Sequence, residues 1–178
     1  MPVFPVPLLN GMPPRISDGY GYSVVRGRVH EGSDLMYHRP ETGASNLPVY
    51  APNFFMPNGV PALAWDNGTV TRAGVISTGG RVEIDHGGGL VTKYFHLRNI
   101  KVRSGDRVTA GRPVGTISFN PNSYKLNHLH FEMLKNGKHI DPATMLHLGT
   151  MVNPPRPGLA LALALGAAVG GYFIFIKK

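Results

Sequence analysis

Runs in which apolar and polar residues alternate dominate the middle of this chain. The clearest is Arg81 to His86, in which Val82 and Ile84 are apolar and their neighbours are polar. A period of two residues is typical of a β-strand that buries one face. Because Gly87-Gly88-Gly89 follows directly and permits a tight reversal, we predict that Leu90 to Leu97 returns as the adjacent antiparallel strand.

Further short strands are predicted around Val102, Val108 and Val114, and another over Leu126 to Leu134. Glycines and prolines separate these runs as turn residues, and no run shows the period of 3.6 residues that marks an amphipathic helix. We therefore expect an all-β domain over residues 16–148, built as a compact antiparallel β-sheet.

The segment Asn53 to Asn67 interrupts this pattern. It combines Phe54, Phe55 and Trp65 with prolines and is predicted to be an inserted loop rather than a strand. An apolar loop of this kind either caps the core or forms a wall of a substrate groove, and the sequence leaves both readings open.

The two ends of the chain differ from the middle. Residues 1–15 are rich in proline and lack the features of a secretory signal, so we expect an extended arm lying on the domain. Residues 149–157 form a proline-rich linker. Residues 158–176 carry no charge, and as a helix the apolar run would span about 27 Å, close to the thickness of a bilayer core. We predict a transmembrane helix there, followed by a basic tail, 177–178; a buried core helix is the alternative.

Composition limits the classes of binding partner and the residue types that can serve as metal ligands. The 178 residues carry a formal net charge of +8, which favours anionic partners. No arginine-rich arm or aromatic RNA-binding strand is present, so nucleic acid is not expected. The lipid membrane is expected as a partner of residues 158–176, where Gly166 and Gly170 have the spacing of a weak helix–helix contact between copies. The chain has no cysteine, so a transition-metal site must use histidine and carboxylate ligands, which suits zinc.

Two groups of residues have metal-site chemistry. His128, His130 and Glu132 alternate along one strand and would therefore share a face. Glu132 is either an acceptor that orients a ligand imidazole or an ordinary surface carboxylate. His30 and Asp34 lie four residues apart, and because glycine is unfavourable in the intervening segment of a helix, we expect a turn to bring them together.

His96 lies between these two groups in the chain, and the order of motifs resembles that of the lysostaphin-type, LytM-like zinc endopeptidases of bacterial peptidoglycan. The resemblance covers most of the β-rich region and rests on these motifs: His30-Glu31-Gly32-Ser33-Asp34, Ile84-Asp85-His86-Gly87, Tyr94-Phe95-His96-Leu97, Val108-Thr109-Ala110-Gly111 and His128-Leu129-His130-Phe131-Glu132. It implies a barrel-sandwich-like metallopeptidase domain whose substrate is a peptidoglycan peptide.

The resemblance also implies roles for five residues. His30, Asp34 and His130 would hold Zn²⁺, and His96 and His128 would be the catalytic imidazoles. His128 would act as general base, and His96 would donate a hydrogen bond to the oxyanion or the attacking water. Leu126-Asn127 stands where the family usually has Gly-Pro, which leaves the substrate preference open.

Other readings compete with a membrane-anchored endopeptidase. A non-catalytic peptidoglycan-binding or regulatory module is one, and a carrier domain is another, although no hairpin presents the lysine that a carrier needs. The missing signal and the predicted C-terminal anchor lead us to expect a phage virion membrane, with a bacterial inner membrane facing the periplasm as the alternative. His86 is expected to have a local structural role, and His38, His139 and His147 to lie at surface or loop positions.

Overall fold

The computed structural model describes residues 1–23, 27–38, 54–118 and 127–154. Short strands account for nearly all the regular structure in these ranges. In chain order they are β1 (Pro14–Asp18), β2 (Gly21–Ser23), β3 (Arg28–His30), β4 (Ser33–His38), β5 (Phe54–Phe55), β6 (Val60–Leu63), β7 (Gly68–Ile76), β8 (Gly79–Asp85), β9 (Leu90–Arg98), β10 (Arg107–Val108), β11 (Pro113–Ile117), β12 (Leu129–Lys135) and β13 (Lys138–Ile140), followed by the helix α1 (Ala143–Leu146).

One large sheet contains eleven of the strands, and β2 and β3 form a separate hairpin. The central order is β1-β4-β12-β9-β8-β7-β10, and β5, β6, β11 and β13 pair at its sides. All these strand pairs are antiparallel. The prediction of an all-β, antiparallel fold is confirmed, with the four-residue α1 as a small exception. The reversal at Gly87 to Gly89 is also confirmed: it joins β8 to β9, and all three glycines have positive φ.

The apolar segment after residue 53 is the main difference from the sequence prediction. The prediction of a loop rather than a strand was wrong, because β5 pairs with β4 and β6 pairs with β11. Trp65 is buried, and its backbone N–H donates to the Tyr94 hydroxyl over 2.8 Å. The segment therefore covers the core. The sequence did not indicate its strands for two reasons. β6 is apolar throughout, so it lacks alternation, and it contains Pro61, which is unfavourable within a strand. Val102 is the opposite case. A short strand was predicted around it, but Val102 lies outside the strands, although it is buried.

The N-terminal segment lies along the domain. Phe4 and Val6 are buried among the core residues. Backbone hydrogen bonds hold the segment in place, among them Leu8 N–H to the Val152 carbonyl at 2.7 Å. The buried Tyr37 hydroxyl donates to the Pro7 carbonyl at 2.8 Å. Residues 1–13 are thus tied to the same core that the sheet covers.

The predicted membrane segment lies outside the described residues. Within the described ranges, no helix has the length and apolar character needed to cross a membrane. Residues 158–176, including Gly166 and Gly170, and the tail 177–178 are not among those ranges.

Candidate metal centre and active site

Three adjacent strands form the floor of the site. His130 on β12 pairs with Asp34 on β4 at one side and with Phe95 on β9 at the other. Leu129 and Phe131 are fully buried. Because side chains alternate along a strand, His130 and Glu132 lie on the face of the sheet away from that core. Alternation in the sequence predicted this orientation.

His30 joins the site through a tight turn at the end of β3. Glu31 and Gly32 connect it to β4, which begins one residue before Asp34. A Cβ on Gly32 would lie 2.5 Å from the Phe131 carbonyl oxygen, so the turn packs directly against β12. A turn, as expected, and not a helix brings His30 and Asp34 together.

Three donor atoms converge at one point. His30 Nε2 lies 3.2 Å from Asp34 Oδ1 and 3.0 Å from His130 Nδ1. His130 Nδ1 lies 2.9 Å from Asp34 Oδ1. Tetrahedral zinc with bonds of about 2.0–2.2 Å requires its ligands to lie roughly 3.3–3.6 Å apart. An outward shift of a few tenths of an ångström would therefore adapt this group to zinc, and its nitrogen and oxygen donors suit that ion.

A hydrogen bond from one nitrogen of each imidazole leaves the other nitrogen available to a metal. His30 Nδ1–H donates to the Gly19 carbonyl at 2.7 Å, which leaves Nε2 with a lone pair for the metal. His130 Nε2–H donates to Glu132 Oε1 at 3.2 Å, which leaves Nδ1 for the metal. Such partners fix the tautomer and ring orientation of metal ligands.

The ionisation of the site is strongly perturbed. Burial alone would raise the pKa of Asp34, but its close contacts with the imidazoles of His130 and His30 outweigh burial and hold that pKa well below its usual range. Burial alone would lower the pKa of His130, but hydrogen bonds to Asp34 and Glu132 and their charges raise it to about 9. Before a metal binds, a carboxylate therefore faces an imidazolium at neutral pH.

Zinc affinity should consequently depend on pH. Below pH 9 the metal must displace the proton of His130, whereas Asp34 has no proton to lose. For one displaced proton we expect the apparent affinity to fall about tenfold per pH unit below 9. Competition titrations with a zinc chelator between pH 6 and pH 9 would measure this slope. A flat profile would contradict the ionisation described here.

Glu132 is a buried bridge rather than a surface carboxylate. Its Oε1 accepts from His130, and its Oε2 lies 3.1 Å from Lys93 Nζ and 3.0 Å from His139 Nε2. Burial would raise its pKa, but the hydrogen bonds from His130 and His139 and the charge of Lys93 lower it to about 2. His139 lies in β13, not in a loop, and sequence alone missed its contact with the site because the contact depends on strand pairing. Glu132 thus orients His130 as an ionised acceptor.

Replacing Glu132 by glutamine should weaken zinc binding about ten- to a hundredfold, because His130 would lose its charged acceptor. A chelator competition assay would measure the change. Glu31→Gln is the matched control: Glu31 is exposed and lies near Glu132 and His139 but is not among the three converging donors. Equal zinc affinity of Glu132→Gln and the unaltered chain would contradict this role.

A β-bulge places His96 on the side of the sheet where the three donors converge. On β8 only Arg81 separates Gly80 from Val82, whereas on β9 two residues separate their partners Leu97 and Tyr94. His96, one of the two, has φ +62, a left-handed conformation that costs a non-glycine residue about 1–2 kcal/mol. Tyr94 and Leu97 are both buried. The bulge therefore resets the alternation and leaves His96 on the outer face with Phe95.

His96 and His128 lie beside the three converging donors. Their ring centroids are 4.6 Å apart, and His128 Nε2 lies 3.6 Å from Asp34 Oδ1. His128 precedes β12 by one residue, next to Asn127, whose side-chain amide donates to Asn58 Oδ1 at 2.8 Å. The structure thus brings together all five residues that the sequence singled out.

The environment of His96 keeps its imidazole neutral. Burial, with His128 close by, lowers the pKa of His96 to about 4. His96 Nδ1–H donates to the Thr78 carbonyl at 3.0 Å. A neutral ring whose Nδ1 carries the proton has a lone pair on Nε2, where it can accept a hydrogen bond from water.

Gly80→Ala should disturb the bulge and slow catalysis. A Cβ on Gly80 would lie 2.7 Å from the Leu97 carbonyl oxygen, so the backbone beside His96 must move. A misplacement of about 1 Å can cost about a hundredfold in rate, and zinc content should not change. Gly74→Ala on the neighbouring strand is the matched control, because its Cβ would meet nothing within 4 Å. Equal kcat values for the two variants, measured well below their melting temperatures, would contradict this argument.

Comparison with known proteins identifies the family. A family model described as peptidase family M23 matches residues 48–142, which is more than half of the chain. The chain belongs to peptidase family M23. The match includes His96, His128 and His130 but begins after His30 and Asp34. The evidence that His30 and Asp34 lie in the site therefore comes from the structure.

Individual relatives and a solved structure are consistent with this family assignment. The chain is 34% identical over 94 residues to the peptidoglycan DD-endopeptidase ShyC of Vibrio cholerae, covering 52% of this chain and 22% of that protein. It is 36% identical over 94 residues to a glycyl-glycine endopeptidase of Staphylococcus capitis, covering 49% and 25%. The catalytic domain of lysostaphin from Staphylococcus simulans superimposes with a TM-score of 0.55 at 25% identity, covering 78% of this chain and 94% of that one. The chain thus spans about a quarter of the length of these curated relatives.

Two further histidines, His86 and His147, are not part of the site. His86 Nδ1 contacts the Asn67 carbonyl and Nε2 contacts Thr92 Oγ1, each at 2.8 Å. His86 also packs edge-on against Trp65, so it has the local structural role expected from its position at the glycine turn. His147 is exposed after α1.

Proposed function

We propose that this M23 protein is a zinc-dependent endopeptidase that hydrolyses peptide cross-links of bacterial peptidoglycan. The observation that carries the proposal is the convergence of three donor atoms with two imidazoles beside them. Three protein ligands suit a catalytic zinc site, in which one position stays open. The similarity to a peptidoglycan DD-endopeptidase and to a glycyl-glycine endopeptidase supports the choice of a peptidoglycan peptide as substrate.

Each residue has a definite task in the proposed reaction. His30, Asp34 and His130 hold zinc, which when bound supplies a Lewis acid that acidifies water and polarises the scissile carbonyl. His96 Nε2 accepts the proton of the attacking water, because Nδ1 is already committed to Thr78. His128 is then left to donate to the developing oxyanion. This division reverses the one implied by the family resemblance.

Digestion of purified sacculi tests the function. The purified 178-residue chain, loaded with zinc, would be incubated with sacculi, and released muropeptides would be identified by mass spectrometry. We expect release by the unaltered chain and none by His128→Ala, and the products would name the bond that is cut. Zinc bound at one equivalent without release would contradict the proposal and favour a non-catalytic binding or regulatory module.

We further propose that residues 158–176 anchor the enzyme in a phage virion membrane. The support is the uncharged apolar run, which is long enough to cross a bilayer as a helix and follows a proline-rich linker. Immunoblots of purified particles and host fractions would test this location. Protein in the host periplasm but absent from particles would contradict it and favour an inner-membrane enzyme that faces the periplasm.

A further inference from the structure

The row of side chains that contains the metal ligands continues to an arginine. Asp34, His130 and Phe95 are successive partners across β4, β12 and β9. On the next strand, β8, Arg81 lies opposite the bulge that carries His96. Val82 beside it is fully buried, so the Arg81 side chain lies on the same outer face as the proposed active site.

Two contacts hold the Arg81 guanidinium in place. Its Cζ lies 5.2 Å from the centroid of the Phe95 ring, and that ring packs edge-on against His130 with centroids 5.4 Å apart. Arg81 Nη2 also forms an ion pair with Glu83 Oε1. A guanidinium fixed by a ring face and one carboxylate loses little conformational freedom on binding a ligand.

The hydrogen-bonding capacity of Arg81 is not exhausted by these contacts. A guanidinium has five N–H donors, and the ion pair with Glu83 in the described structure uses Nη2. The side chain is 21% exposed, so part of it is accessible from the outer face. A carboxylate that approached from that face would find a positioned cation with donors available.

The spacing relates Arg81 to an extended peptide. Arg81 lies two strands away from His130, which corresponds to about 10 Å at a strand separation of about 4.8 Å. An extended peptide rises about 3.3 Å per residue. A peptide that crosses the strands with its scissile bond at the metal centre would thus place a group about three residues away over Arg81.

We propose that Arg81 is a specificity-determining residue that binds a free carboxylate of the substrate peptide about three residues from the scissile bond. The inference rests on the proposed peptidase function and extends it. Arg81 directs the enzyme to anionic stem peptides over peptides whose carboxylates are amidated. Arg72 serves as the structural comparison: its Nε lies 3.3 Å from the same Glu83 oxygen, but its side chain is 64% exposed.

Binding to an inactive chain tests this assignment without requiring hydrolysis. Two synthetic cross-linked stem-peptide dimers, identical except for free carboxylates or carboxamides, would be titrated calorimetrically into zinc-loaded full-length His128→Ala. We expect the free acid to bind about ten- to a hundredfold more tightly than the amide, the range for hydrogen bonds to a charged group. Adding Arg81→Gln should abolish this preference, Arg81→Lys should retain part of it, and Arg72→Gln should leave it intact.

Several results would overturn the assignment. They are equal affinity for the two dimers, binding of neither, an acid preference that survives Arg81→Gln, and an equal loss for both dimers, which would indicate a purely structural role. Zinc stoichiometry of each variant confirms that the site is assembled. Because the sacculus assay reports hydrolysis and this assay reports recognition, failure of the proposed function and failure of the Arg81 assignment are distinguishable.

Discussion

Asp34→Asn is expected to abolish peptidase activity and to weaken zinc binding by more than about a hundredfold. Asp34 supplies the charged oxygen that lies within 3.2 Å of both His30 Nε2 and His130 Nδ1. An amide has the same shape but no charge, so it neither replaces the carboxylate as a ligand nor holds the His130 ring by an ion pair. Losing a ligand should exceed the ten- to hundredfold effect of losing a partner of a ligand. Zinc content by atomic absorption and kcat/KM on a peptide substrate would measure both effects.

Asp18→Asn is the matched control for this experiment. Asp18 pairs with Asp34 across β1 and β4, and its Oδ2 lies 4.0 Å from His30 Nδ1. It is thus a carboxylate beside the same histidine, but it faces the ring nitrogen that donates to Gly19. We expect nearly normal zinc content and activity. If Asp34→Asn retained full zinc affinity, the three-donor site would be wrong.

His96→Asn is expected to lower kcat by about 10²- to 10⁴-fold while zinc content stays at one equivalent. The loss reflects removal of a positioned proton acceptor. Asparagine is the preferred substitution because it tolerates the left-handed backbone that His96 adopts at φ +62. The bulge should therefore persist, and the change in rate can be assigned to the imidazole. Steady-state kinetics combined with metal analysis would separate the two quantities.

His147→Ala is the control for histidine removal, because His147 is exposed after α1 and outside the site. It should leave kcat and zinc content unchanged. Loss of zinc from His96→Asn would assign His96 to the metal instead of to proton transfer. Activity near that of the unaltered chain would remove it from the reaction altogether.

The local sequence predicted much of the sheet because its signals are local. Val82 and Ile84 alternate with polar residues, and β8 forms where they do. Gly87 to Gly89 adopt positive φ and reverse the chain, as glycine permits. The same rules fail at β6. This strand is apolar at every position because it is largely buried, so polar and apolar residues do not alternate, and Pro61 is unfavourable within a strand. That segment becomes a strand because it pairs with β11.

The bulge on β9 shows the limit of the same reasoning at the site. A regular strand would place His96 on the same side as the buried Tyr94, away from His130. The extra residue relative to β8 reverses this, and it depends on the close contact of Gly80 with the Leu97 carbonyl. The residues from Tyr94 to Leu97 do not by themselves indicate that β8 has one residue fewer at this point. The orientation of His96 therefore depends on the pairing of β8 and β9.

The sequence by itself determined the donor chemistry and the face of β12. Without cysteine, only histidine and carboxylate ligands were available, and alternation alone put His130 and Glu132 on the outer side of their strand. The tertiary structure decided which nitrogens converge with the Asp34 carboxylate, what Glu132 contacts, and that Arg81 lies in the same row as the three converging donors. These features depend on strand pairing between residues far apart in the chain, such as His130 with Asp34 and Phe95. A period of two residues specifies the face of a strand but not its neighbour.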